Sequence, residues 1–223
     1  MSNPYRKDGE ETVNVIIMAE TKRLIVGISG ASGVIYGVRL LEILRALEIE
    51  THLVMTKAAE MTLGYETGRT PGEVEALAHT RYQLADVGAA IASGSFRTLG
   101  MIVAPCSIRT MSEVATGVTS NLLTRAADVM LKERRRLVLM VRETPLHTGH
   151  LRTMTHLSEV GAIIAPPVPA FYAEPKTIDD IVTQTVCRAL DLFGIEADET
   201  RRWGEDIRSG RRAPVRPGKK PQE

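Results

Sequence analysis

Six polar residues of this chain fall just beyond short apolar runs: Ser32, Thr56, Ser107, Thr110, Arg142 and Glu143. If those runs are parallel strands, all six converge on one sheet edge without being close in sequence. The hydroxyls suit the phosphate or carbonyl groups of a ligand. Arg142 suits a phosphate clamped through two parallel bonds, and the adjacent Glu143 suits moving a proton. The plain alternatives are a helix cap for Ser107 and a surface ion pair for Arg142 and Glu143. Residues 27–33 (GISGASG) join an apolar run to an amphipathic helical pattern, as a phosphate-binding corner does. There Ser29 and Ser32 are expected to add hydroxyls beside the orphan N–H groups of the first helical turn. The G-x-x-G-x-x-G spacing lacks the paired G-x-G of a dinucleotide fingerprint. Arg125 and Lys132, two helical turns apart, share a face. With Arg188 they form either a solvated stripe or an electropositive pocket for a phosphorylated substrate.

Metal chemistry has little support. His147 and His150 share a helix face, His156 does not, and no H-E-x-x-H pattern exists. No aspartate-rich motif of the kind that holds magnesium and a diphosphate is present, so a metal-free reaction is expected. Cys106 follows a strand end, but nothing pairs it with a base, and it is read as structural.

The elements that must position these groups alternate. Strands are expected from about Arg23, over residues 52–55, over 101–104 where Pro105 stops the run, over 137–141 and over 162–165. Helices are expected from Val34, over 57–66, from the turn at 70–73, from Ser107, over about 121–136, over 149–160 and over 178–193. Residues 81–99 read as irregular, with a polar loop at 93–96. The pattern predicts an α/β fold, a three-layer α/β/α doubly wound, mostly parallel sheet of Rossmann or flavodoxin-like type in a single domain. Residues 1–22 read as an N-terminal extension and 23–208 as the single α/β domain. Residues 209–223 form a basic tail expected to be disordered, with five basic residues and three prolines from Arg211 onward.

A net charge of +1 makes no global case for nucleic acid or a membrane surface, so anion binding must be local. Two cysteines are too few for a disulfide framework, and no apolar run approaches the roughly 20 residues of a membrane span. A cytoplasmic location is expected.

With these segments in view, the chain resembles the UbiX-type flavin prenyltransferase family. The resemblance rests on GISGASG (27–33), SGSF (93–96), PCSIRT (105–110), RAADVMLKERR (125–135), RETPL (142–146) and PPVPAFY (166–172), in order over about residues 22–203. It implies an enzyme that joins the dimethylallyl group of dimethylallyl monophosphate to N5 and C6 of reduced FMN. The product is the cofactor of a UbiD-type decarboxylase. By position, Ala31, Ser32, Gly33, Thr56, Ser107, Ile108, Arg109, Thr110 and Arg142 look like FMN contacts. Tyr172 and Arg188 look like prenyl-phosphate contacts, helped by Arg125 and Lys132, while Glu66 and Trp203 match further active-site positions. Glu143 looks like the acid/base, with Ser32 beside it, and a protonated Lys132 stabilises the leaving phosphate. The resemblance also implies trimers packed into dodecamers, with Glu66 reaching a neighbouring subunit's site. Ser120 departs from an aspartate common in the family, and Thr56 replaces a serine but keeps the hydroxyl. Rival readings are an FMN-binding accessory subunit of a hydroxyaryl decarboxylase, a flavin-dependent cysteine decarboxylase and a flavodoxin-like electron carrier. The cysteine decarboxylases carry a catalytic histidine in the flavin region, whereas no histidine lies between His79 and His147 here.

Overall fold

The computed structural model describes residues 22–197 and 201–202, so Trp203, the 209–223 tail and all of the N-terminal extension except Lys22 lie outside the described residues. Six strands form one sheet: β1 (Arg23–Ile28), β2 (Glu50–Met55), β3 (Thr80–Tyr82), β4 (Gly100–Cys106), β5 (Arg136–Val141) and β6 (Ala162–Ile164). Their order is β3-β2-β1-β4-β5-β6, and every neighbouring pair is parallel. Runs such as LIVGI and LVLMV are apolar on both faces because helices cover both faces of a parallel sheet. Alternate residues therefore feed two cores. Leu24, Val26, Ile28, Val138 and Met140 pack under α1 (Val34–Ala46), α2 (Lys57–Thr67), α3 (Pro71–Glu75) and α7 (Ile178–Asp191). Ile25, Leu137, Leu139 and Val141 pack under α4 (Ile108–Ala115), α5 (Leu122–Lys132) and α6 (Thr148–Glu159). This is the three-layer, doubly wound fold expected from the alternation.

Strand order reverses between β1 and β4, and the crevice beyond their carboxyl ends is where such sheets take ligands. The crevice is tightly built. α1 crosses so close over β4 that a Cβ on Gly37 would stand 2.4 Å from the Ala104 carbonyl oxygen.

Most boundaries fall within two residues of expectation, and the larger or more telling differences are these. β3 is a three-residue edge strand within the stretch read as irregular, too short to show a period of its own; it pairs with His52–Val54. β4 runs through the cis Ala104–Pro105 bond to Cys106 with a register shift after Val103, rather than stopping at Pro105. α5 starts after the Asn121 cap and ends at Lys132, short of residue 136, because Arg134 adopts a left-handed conformation (φ 56°) that leaves Arg136 free to open β5. α7 ends at Asp191 rather than at Phe193.

Candidate active site

Two cavities open at the carboxyl edge of the sheet, with the 30–33 turn between them. The first, about 460 Å³, is lined by residues that include Gly30, Thr56, Lys57, Ser107, Thr110 and Glu143. Two helices point their N-termini into it. Thr56 caps α2 by accepting from the Ala59 N–H (3.1 Å), and Ser107 caps α4 by accepting from the Thr110 N–H (3.2 Å). The orphan N–H groups and dipoles of two helix starts favour an anion between them. Gly30 lets α2 approach: a Cβ there would lie 2.3 Å from the Ala58 Cβ. Ile108 and Arg109 also line this cavity, but Arg109 is largely exposed and its guanidinium is held by Glu113 at 2.9 Å. Glu113 also accepts from Ser120 (2.8 Å), so Ser120 donates to a carboxylate where an aspartate would meet one of like charge. Glu143 stands at the mouth, exposed, its Oε1 accepting from the Thr144 N–H at 3.0 Å.

The second cavity, about 700 Å³, is lined by residues that include Ser32, Gly33, Tyr36, Glu66, Arg69 and Arg142. Arg142 and Glu143 thus face different cavities, and no ion pair joins them among the described residues. Arg142 is placed by its backbone N–H, which donates to the Cys106 carbonyl at 3.0 Å. Burial raises the Tyr36 phenol above its ordinary range, and the Arg142 charge opposes that shift.

The corner at 27–33 is not built as its sequence suggests. Ser29 is fully buried; its hydroxyl donates to the Pro105 carbonyl (2.9 Å) and accepts from the Ser107 N–H (2.7 Å), tying the β1 turn to the β4 turn. At the start of α1 the N–H groups of Gly33 and Val34 donate to Glu66 Oε2 at 2.8 and 3.2 Å. The anion at that helix start is therefore the chain's own carboxylate, and the helix starts turned into the first cavity are those of α2 and α4. Ala31 lies in the same turn, and its N–H donates to the Ser29 carbonyl.

The remaining cations lie elsewhere. Arg125 donates to the Ala92 carbonyl (3.3 Å) and to Asp128 (2.8 Å). Lys132, at the far end of α5, donates to Glu133 at 2.5 Å beside Gly94. Both contact the 92–96 loop, as their shared face predicts. Lys132 is nevertheless separated from Glu143 by the length of β5, roughly 20 Å for six residues. Arg188 pairs with Asp191 near the end of α7, whose first residues, Ile178 and Asp179, line the second cavity about 15 Å away at helical rise. Tyr172 lies in the single helical turn Phe171–Ala173. The single chain therefore gathers the hydroxyls, Arg142, Glu66 and Glu143 at one edge and carries Lys132 to the other end of β5, with Arg125 one turn past Asn121, which lines the first cavity, and Arg188 ten residues along α7 from Ile178. Among the described residues no three His, Cys, Asp or Glu side chains cluster as metal ligands.

One contact was missed from sequence: the 93–96 loop, read as polar and as one of the family motifs, packs against Lys132. Its signal was the aromatic Phe96 closing a Ser-Gly-Ser run, which marks an anchored loop.

A Flavoprotein family model matches residues 14–190. The flavin prenyltransferase UbiX of Escherichia coli strain K12 is 60% identical over 185 residues, covering 82% of this chain and 98% of that protein. This chain belongs to the UbiX flavin prenyltransferase family. The mitochondrial flavin prenyltransferase PAD1 of Saccharomyces cerevisiae is 51% identical over 84% of this chain and 77% of its own length. The crystal structure of AnUbiX in complex with FMN and dimethylallyl pyrophosphate superposes with a TM-score of 0.81 at 49% identity, covering 82% of this chain and 97% of AnUbiX. The cysteine decarboxylase SpaF shares the fold alone, at 18% identity and a TM-score of 0.54. Like other UbiX flavin prenyltransferases, then, this chain is a flavoprotein and a transferase.

Proposed function

We propose that this chain transfers the dimethylallyl group of dimethylallyl monophosphate to N5 and C6 of reduced FMN, without a metal. The product then serves a UbiD-type decarboxylase. The observation that carries the assignment of parts is the first cavity, where two capped helix starts face each other and a carboxylate stands at the mouth. Its donor set fits FMN: Thr56, Ser107, Thr110 and the α2 and α4 amides suit the flavin's phosphate, and Gly30 leaves room for close approach. Ala31, Ser32, Gly33 and Arg142 would hold the rest of the flavin. Bound there, the flavin supplies the two nucleophilic positions that receive the prenyl carbons.

The chain's own residues do the rest. The allylic C–O bond breaks and its electron pair leaves with phosphate, so cations and hydroxyl donors must meet the developing anion. Lys132, Arg125, Arg188 and Tyr172 take that role. Glu143 takes up the proton that C6 gives up when the one new carbon–carbon bond forms, the other new bond being to nitrogen N5, and Ser32 holds the donor.

Lys132, at the other end of β5, does not reach Glu143 within one chain, so this reading has the site completed by other copies. The Escherichia coli O157:H7 UbiX-like structure, described as dodecameric, covers 81% of this chain at 51% identity and supports that assembly. No helix among the described residues is long and apolar enough to cross a membrane. The accessory-subunit reading gives no role to the second set of phosphate-binding cations. The test is anaerobic: reduced FMN and dimethylallyl monophosphate are mixed with the protein, and the released flavin is weighed by mass spectrometry. A gain of one five-carbon unit, lost in Glu143→Gln, is expected. Unchanged, tightly held FMN would establish the accessory reading instead.

A further inference from the structure

Among the buried polar residues that this chemistry does not use is the histidine His52, on β2, 4% exposed. Its ring is held at both nitrogens. Nε2 lies 2.9 Å from Glu50 Oε1, and Nδ1 lies 2.9 Å from the Tyr82 hydroxyl. A carboxylate only accepts, so Nε2 carries the proton and Nδ1 accepts from the phenol. Glu50 is fixed in turn by Arg23 at 3.0 Å. This relay spans β1, β2 and β3, and it presents a flat, rigid surface to one residue. The Phe96 ring meets the His52 ring edge-on at 4.8 Å, and the Arg23 guanidinium covers it at 5.3 Å.

Phe96 is the anchor of the 93–96 loop. Its carbonyl and that of Gly94 both accept from the Arg135 guanidinium at 2.5 Å. Ser93 and Ser95 share a hydroxyl bond of 2.9 Å between them. The loop backbone presses on the cations: a Cβ on Gly94 would fall 3.0 Å from Lys132 Nζ and 2.2 Å from Glu133 Oε1. At its start, the Ala92 carbonyl holds Arg125. Where this loop sits therefore decides where Lys132 and Arg125 point.

We propose that His52 is a positioning residue for the donor phosphate: with Tyr82, Glu50 and Arg23 it forms the seat of Phe96, and through the 93–96 loop it sets Lys132 and Arg125. The inference rests on the reading of those two cations as donor-phosphate contacts. It places a residue of the sheet interior in control of donor affinity, while the FMN cavity at the opposite edge is untouched. The relay has no contact with Thr56, Ser107, Thr110 or Glu143, so donor and flavin affinities separate.

The test uses full-length protein loaded with oxidised FMN, which does not turn over, and measures the Kd of dimethylallyl monophosphate by calorimetry. His52→Leu is expected to weaken donor binding about tenfold, the scale of one misaligned charge-assisted hydrogen bond. FMN affinity should stay within about twofold. Tyr82→Phe removes one oxygen and little packing, so it serves if His52→Leu does not fold; a smaller loss of the same sign is expected. Phe96→Leu should weaken the donor as His52→Leu does, and the double variant should be no worse than either alone, since both act through one seat. Donor Kd unchanged in Tyr82→Phe and Phe96→Leu would overturn the proposal, as would equal losses of donor and FMN affinity, which mark a merely structural role. A wild-type protein that binds FMN but no donor would instead overturn the donor-site reading, and the seat with it.

Discussion

Cys106 ends β4 directly before the cavity hydroxyl of Ser107, the place where a nucleophile would stand. Burial pushes its thiol up to about 12, so the thiolate is scarce at any physiological pH. Cys187 is buried as well. Native protein at pH 8 should therefore take up no iodoacetamide at either thiol, and denatured protein should take up two equivalents, counted by intact mass. Labelling of Cys106 in the native state would reopen it as a reactive group. His52 offers a second check at this scale. Burial lowers its pKa below the ordinary 6.5, outweighing the opposing pull of Glu50. As pH falls through 6.5 the unfolded chain takes up a proton that the folded chain resists, so stability falls with it until the folded pKa is reached. The Tm should therefore drop as pH is lowered through the ordinary histidine range. His52→Gln, which has no such proton, should show a shallower drop across the same window.

At the scale of elements, function depends on how three helices start. α2 and α4 begin on hydroxyl caps and α1 on a borrowed carboxylate. Ser107→Ala should cost about 1 kcal/mol as a lost cap and also weaken FMN, whereas a cap remote from any ligand would cost stability alone. Denaturant midpoints and flavin titration separate the two effects. Gly30→Ala should be more severe for the flavin, because its methyl meets Ala58 at 2.3 Å and α2 must move away from the cavity. A FMN Kd more than about tenfold weaker is expected, read by fluorescence of bound flavin. Glu66→Ala should leave the Gly33 and Val34 N–H groups without their acceptor and lower the Tm, an effect Glu66→Gln should partly restore.

For the whole molecule, the separation of Glu143 from Lys132 by the length of β5 is the governing fact. A site that draws these groups from different copies predicts complementation. Glu143→Gln and Lys132→Ala should each be inactive, and co-expressed chains should regain activity in about one site in four, where each mutated position is supplied intact by a neighbour. Mass spectrometry of the released flavin reads that recovery. No recovery from mixed assemblies would mean that a single chain closes the site by itself.

Much of this was legible in the sequence. Apolar runs alternating with 3.6-residue patterns fix a parallel sheet under two helical layers, because both faces must be buried. Hydroxyls placed after such runs then share an edge, as Thr56, Ser107 and Thr110 do, and the Thr70, Asn121 and Thr177 caps mark helix starts through local hydrogen bonding alone. Ordered motifs across the chain identify the family. Tertiary structure decided what depends on residues far apart in the chain. Ser29 turned inward to bind Pro105, 76 residues away, and Glu66 took the α1 amides, 33 residues from Gly33. Arg142 and Glu143 parted into two cavities, and Lys132 was carried to the other end of β5. Periodicity records which face of an element is buried; only packing determines which distant side chain meets that face, and therefore which anion each helix start receives.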